Sequence, residues 1–222
     1  EVAGVALVSF WVRFALTAPN LFTAGADGSA HLLGLDGGSR GLSLLVSWVL
    51  PEALDGLTWP GIRVLTALAA CGPPLLVLLA RSMELPGRAG LLAAIAMAAW
   101  PLHAAVSASD VLTGPVIALT LGGLALVFGA LRRDQPWLLL PAAAILAWVV
   151  WCRPDGAVAL IPAVVPGLLA VRRWPRSRPV WIAAAWVSLS LLCRGAGLFG
   201  GGALVPFVWG EGVRELGIAT AA

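Results

Sequence analysis

The sequence predicts an all-α protein, a polytopic transmembrane helical bundle of about seven spans, and three observations lead there. Hydrophobic residues make up 60% of the 222 positions and charged ones 11%, where a soluble domain carries about 25% charged residues. The mean hydropathy is accordingly +0.94. Apolar runs recur at the length of about 20 helical residues that crosses ~30 Å of hydrocarbon. Finally, the 14 basic residues are all Arg and, apart from Arg13, fall between those runs or near their ends, as topology markers do. Their scatter, with a net charge of only +3, excludes a nucleic-acid-binding surface and leaves membrane lipids as the surroundings.

Residues 2–18 form the first span, interrupted near its far end by Arg13. A charge inside hydrocarbon needs a partner or a path to the surface. The second span covers 62–82, with a kink expected at Pro73-Pro74 because proline lacks the N–H that continues the helix ladder. The third covers 88–107, the fourth 111–131, and the fifth 136–152, opened by Pro136 at a position proline favours. A short sixth span, 156–171, and a seventh, 180–198, follow. RPDG at 153–156 reads first as a turn, and could hinge the fifth and sixth runs into a broken or re-entrant pair.

The connection 19–61 is expected to be an extracytoplasmic loop. Within it, GLSLLVSWVL (41–50) is too short to span and sets Ser43 and Ser47 on one helical face. An interfacial helix fits it, with Trp48 at headgroup depth. Residues 199–222 are expected to form an outer tail, and 1–222 a single transmembrane domain. A first residue Glu and the small-residue ending GIATAA suggest a piece of a longer protein.

With the amino terminus cytoplasmic, the inner connections are 82–87, 132–135 and 172–179. They and their flanks hold Arg81, Arg88, Arg132, Arg133, Arg172, Arg173, Arg176 and Arg178, eight of the 14 arginines. That distribution obeys the positive-inside rule. Eight of the 11 acids then face outward, so candidate chemistry lies on the outer side.

Among those acids, Asp27 stands in the polar stretch NLFTAGADGSAH and Asp110 in HAAVSASDVLTG. Ser107 and Asp110 are also plausible helix caps. As a pair, Asp27 and Asp110 are suited to general-base work or to holding a divalent cation. Both histidines, His31 and His103, fall beside them, as structural hydrogen-bonding residues or as the lining of a polar pocket. Arg153 and Asp155 sit in RPDG, and Arg194 near the outer end of the seventh span. An Arg at headgroup depth either snorkels or binds a phosphate through its planar fork of donors. Cys71, Cys152 and Cys193 show no metal spacing and read as small packing residues.

In order, the chain has an Arg-bearing span, an outer loop with an Asp, interfacial helices, and a span pair closed by S-x-x-D. An Arg-Pro-acid-Gly element between apolar runs follows. This layout resembles the amino-terminal half of a GT-C type membrane glycosyltransferase, in the manner of the protein O-mannosyltransferases and the aminoarabinose transferases, over roughly residues 5–195. The resemblance implies transfer of a sugar from a polyprenyl-phosphate carrier to a lipid, glycan or protein acceptor on the extracytoplasmic face, in a bacterial inner membrane. It implies catalytic roles for Asp27 and Asp110, with a divalent metal (Mg, Mn or Zn) on the same two acids. Arg153 and Arg194 would bind the carrier phosphate, and His31, His103 and Asp155 would complete the substrate site. Many relatives carry paired acids in the first loop, whereas Gly28 and Ser29 follow Asp27 here. A multi-span transporter and a non-catalytic membrane subunit are the rival readings. A transporter requires ionisable groups near the bilayer midplane, and apart from Arg13 the charges sit at span ends.

Overall fold

Helix boundaries in this chain are set by proline and arginine. The computed structural model describes residues 1–16, 66–100, 113–152 and 154–195, and among these every regular element is helical. Helix α1 is Val2–Leu16. Residues 66–70 are helical and pass through a turn at Cys71 into α2, Gly72–Ser82. Next come α3, Gly87–Ala99, and α4, Thr113–Arg133. A 3₁₀ turn at Pro136–Leu138 leads into α5, Leu139–Cys152. A longer 3₁₀ segment, Pro154–Leu160, leads into α6, Ile161–Arg173. Helix α7 is Arg178–Gly195. Among the described residues one helix, Gly114–Arg133, is long and apolar enough to cross a membrane. The loop helix expected at 41–50 and the tail 199–222 lie outside the described residues.

Two boundaries differ from expectation for proline reasons. The second helix breaks at Cys71, just ahead of Pro73-Pro74, because the absent N–H of each proline would have bonded a carbonyl four residues back. The third helix ends at Ala99, not at 107, with Trp100 extended (φ −67°, ψ 116°). Pro101 follows it and disfavours the α conformation in the residue it succeeds.

Packing follows the chain. Helix α2 contacts α1, α3 and α4, α5 lies between α4 and α7, and α6 leans on α4. The contact faces are built from small residues. On α3 the buried positions are Gly90, Ala94 and Ala98, spaced four apart, the arrangement that lets helix backbones approach closely in membranes. A Cβ on Gly90 would lie 2.6 Å from the Cβ of Ala80. Since neither atom can swing aside, Gly90→Ala is expected to lose about 1–3 kcal/mol by overpacking, despite its better helix propensity. Gly87→Ala, which meets nothing within 4 Å, serves as its control, and thermal melts of the two variants check the contrast. At Gly123 an added Cβ would lie 2.7 Å from both Cγ and Cδ2 of the buried Leu146 side chain, so Ala there requires that side chain to shift.

Charge gathers at one end. Helices α2 and α4 close in the same way: Leu85 N–H bonds the Ala80 carbonyl, and Gln135 N–H bonds that of Ala130. These are Schellman-type endings, in which the preceding residue is left-handed and usually Gly. Here those residues are acids, Glu84 (φ 60°) and Asp134 (φ 56°). Each acid reaches the Arg-rich carboxyl end of the parallel helix two further along the chain. Glu84 pairs with Arg132 at 3.3 Å. Asp134 pairs with Arg173 at 3.1 Å and accepts a bond from Trp174 Nε1 at 3.0 Å. Glu1 pairs with Arg81 at 2.7 Å, and Arg132 Nη1 donates to the Arg81 carbonyl. The belt thus joins α1 to α2, α2 to α4, and α4 to α6. Its pairs are half exposed or more, so each contributes about 0.2–1 kcal/mol. The left-handed conformation costs a non-glycine residue roughly 1–2 kcal/mol. Glu84→Gly is therefore expected to be neutral or stabilising by about 1 kcal/mol in a denaturation experiment, with α2 still ending at Ser82.

Candidate functional site at the end opposite the arginine belt

Because α1 begins at the belt, its far end, some 20 Å away by helix rise, marks the opposite end of the molecule. The chain leaves α1, α3 and α5 toward Asp27, Asp110 and Arg153 from that end, and α7 finishes there at Arg194–Gly195. Asp27, His31, His103, Asp110 and Arg153 themselves lie outside the described residues. Asp155 belongs to the 3₁₀ segment Pro154–Leu160, so RPDG runs into a helical connector. Arg194 is placed directly: it is 3% exposed, buried in the last turn of α7.

The described polar interior at this end was only partly foreseen. Arg13 is fully buried, with Ser9 and Thr66 beside it in rank: 0%, 0% and 1% exposed. The physical origin is the proline pair on the second helix. Pro74 cannot donate to the Ala70 carbonyl, and that carbonyl instead accepts a 2.8 Å bond from Ser9 Oγ. The same Ser9 hydroxyl accepts from Arg13 Nη1 at 2.8 Å, and the Ser9 carbonyl accepts from the same nitrogen at 3.2 Å. A carbonyl released by proline thus orders a serine, and the serine orders an arginine one turn on. The antiparallel register that sets Ser9 against Ala70 brings Arg13 level with Thr66. The sequence signal was present in the i, i+4 spacing of Ser9 and Arg13 and in the two prolines, but connecting them needs the register.

Two buried guanidinium groups, Arg13 and Arg194, therefore stand toward the end from which the acid-bearing segments depart. Chemically, such groups hold anions: the planar fork of donors matches phosphate or carboxylate oxygens. Among the described residues there is no group of three or more His, Cys, Asp or Glu that could hold a metal, and the two acids assigned to a cation lie elsewhere in the chain. The cysteines Cys71, Cys152 and Cys193 are unbridged. Cys71 Sγ donates to the Ala67 carbonyl at 3.3 Å, and Cys152 is fully buried in the core, as packing residues are. No protein-family model, curated protein or solved structure matches the chain.

Proposed function

We propose that the chain is a seven-span membrane glycosyltransferase domain, which moves a sugar from a polyprenyl-phosphate carrier to an acceptor at the end opposite the arginine belt. The observation that carries the proposal is an inverted polarity. Ser9, Arg13, Thr66, Ser190 and Arg194 are buried, while Leu7, Trp11, Leu92, Leu168 and Leu192 are each about two-thirds exposed or more. Large apolar side chains turned outward around small-residue contacts and buried cations fit a lipid surround. Helices shorter than the bilayer, such as α3 with 13 residues, are accommodated by local thinning or by flanking segments. The belt then faces the cytoplasm and the buried arginines lie toward the outer leaflet of a bacterial inner membrane.

At that face the reaction needs three things of this chain. Asp27 accepts the proton of the acceptor hydroxyl as its oxygen attacks the anomeric carbon. The bond between that carbon and the carrier phosphate breaks, and its electron pair leaves with the polyprenyl phosphate. Arg153 and Arg194 stabilise the departing anion, which needs compensation of charge more than protonation. His31, His103 and Asp155 orient the sugar and acceptor. Asp27 and Asp110 offer the oxygen donors that Mg or Mn prefers, and a cation there would supply additional charge for the phosphate. The test is transfer of label from a polyprenyl-phosphate sugar to lipid, glycan or protein acceptors, by membranes containing the protein and by membranes lacking it. Equal label in both sinks the proposal, as does carrier-independent uptake of a solute, which belongs to a transporter.

A further inference from the structure

We infer that the cleft between α6 and α7 seats one anionic phospholipid of the belt-side leaflet, its acyl chain in the cleft and its phosphate on Arg172 and Arg176. The inference rests on the membrane placement proposed above but not on the transfer reaction. The cleft has a volume of about 290 Å³, floored by Ala142, Ala143 and Leu146 of α5 and walled by Gly167 of α6 and Ala184 and Val187 of α7. It exists because small residues stand where the two walls face the floor, and because α6 leans on α4 whereas α7 runs along α5. Ser188 is the one hydroxyl in its lining. Water would find almost no hydrogen-bond partners there, while a hydrocarbon chain would restore the missing dispersion contacts. Another helix is too wide a filler, since its side-chain envelope is about 10–12 Å across. The cleft opens outward past Val164 and Leu168, 55% and 65% exposed.

Charge identifies the headgroup. The lining runs to Val171 on α6 and starts again at Val180 on α7, so the cleft ends against the connection that carries Arg172, Arg173 and Arg176. Trp174 packs on the core there, anchored through its indole to Asp134, and Arg173 is held by the same carboxylate. Arg172 and Arg176 are exposed and form no ion pair among the described residues. Arg172 lies one turn beyond Leu168, on the flank of the cleft. Two uncompensated guanidinium groups at the mouth of an apolar slot, on the leaflet where anionic lipids concentrate, match a phosphate ester attached to an acyl chain.

The experiment is native mass spectrometry of the purified full chain, released from detergent containing equal phosphatidylglycerol and phosphatidylcholine. One phosphatidylglycerol should be retained, with a preference on the order of tenfold, as two arginines near an anionic headgroup supply. The double variant R172Q/R176Q should bring that preference close to parity. Gly167→Leu should abolish retention of either lipid with helix content unchanged by circular dichroism, because a side chain added at Gly167 enters open space. Equal retention of both lipids by the unaltered chain overturns the inference, as does a preference that survives R172Q/R176Q. Displacement of phosphatidylglycerol by equimolar polyprenyl phosphate overturns it too, since the cleft would then belong to the carrier. Flotation with vesicles separates the two failures. A protein that floats and resists alkaline carbonate without preferring phosphatidylglycerol defeats the lipid seat alone, and one that stays in the soluble fraction defeats the membrane placement as well.

Discussion

Asp27→Asn is expected to lower sugar transfer by about 10²–10⁴-fold, the range that a positioned general base contributes, with the amount of protein in the membrane unchanged. The amide keeps the size of the carboxylate and its ability to accept a hydrogen bond, but it cannot take the acceptor proton. The loss should therefore appear in kcat, with little change in KM for the carrier. Arg194→Gln should do the reverse in part, weakening the hold on the phosphate and raising KM. Its burial at the end of α7 makes a melting curve the necessary companion measurement. Full transfer by Asp27→Asn would remove that residue from the mechanism and leave Asp110 as the base.

Loss of the Ser9 hydroxyl should produce the largest change in stability. Ser9→Ala strips the bond from the Ala70 carbonyl and one of the two bonds that Ser9 makes with Arg13. Each buried group left unsatisfied costs about 1–3 kcal/mol, although hydrogen bonds between membrane helices average nearer 0.6 kcal/mol. Retention of the Ser9 carbonyl bond by Arg13 also softens the loss, so about 2–3 kcal/mol is expected. The decisive measurement is a double-mutant cycle with Pro74→Ala. Restoring an N–H at position 74 gives the Ala70 carbonyl a partner within its own helix, so Ser9→Ala should cost about 1 kcal/mol less in that background. Strict additivity of the two substitutions would show that the proline and the serine are not linked.

Much of the helical layout was legible because its signals are local. Apolar length and a terminal Arg pair placed the fourth span at 111–131, and α4 occupies Thr113–Arg133. The prolines at 73 and 74 announced a break, which falls two residues earlier at Cys71. Pro101 announced the end of α3 equally clearly, but an apolar run through 107 masked it. What sequence could not supply was register. The meeting of Ser9 with Ala70, and of Glu84 and Asp134 with Arg132 and Arg173 far along the chain, depends on which helices lie side by side. The left-handed acids are a second blind spot, since that conformation is ordinarily signalled by Gly. Of the candidate site, the sequence named Arg194 and set Arg13 apart as a charge needing a partner, but the serine that meets it became visible only in three dimensions.

If the chain takes the membrane placement proposed above, the ion-pair belt has a consequence for its insertion. Three of the eight arginines at that end are matched by Glu1, Glu84 and Asp134, which in the proposed orientation leaves five to hold that face in the cytoplasm. The pairs link helices far apart in sequence, so they close only after every intervening segment has been threaded in the right sense. A single inverted helix would strand an acid on one side of the bilayer and its arginine on the other. In the proposed placement the belt would therefore act as a checksum on insertion: correct topology is the one arrangement that closes all three pairs at once.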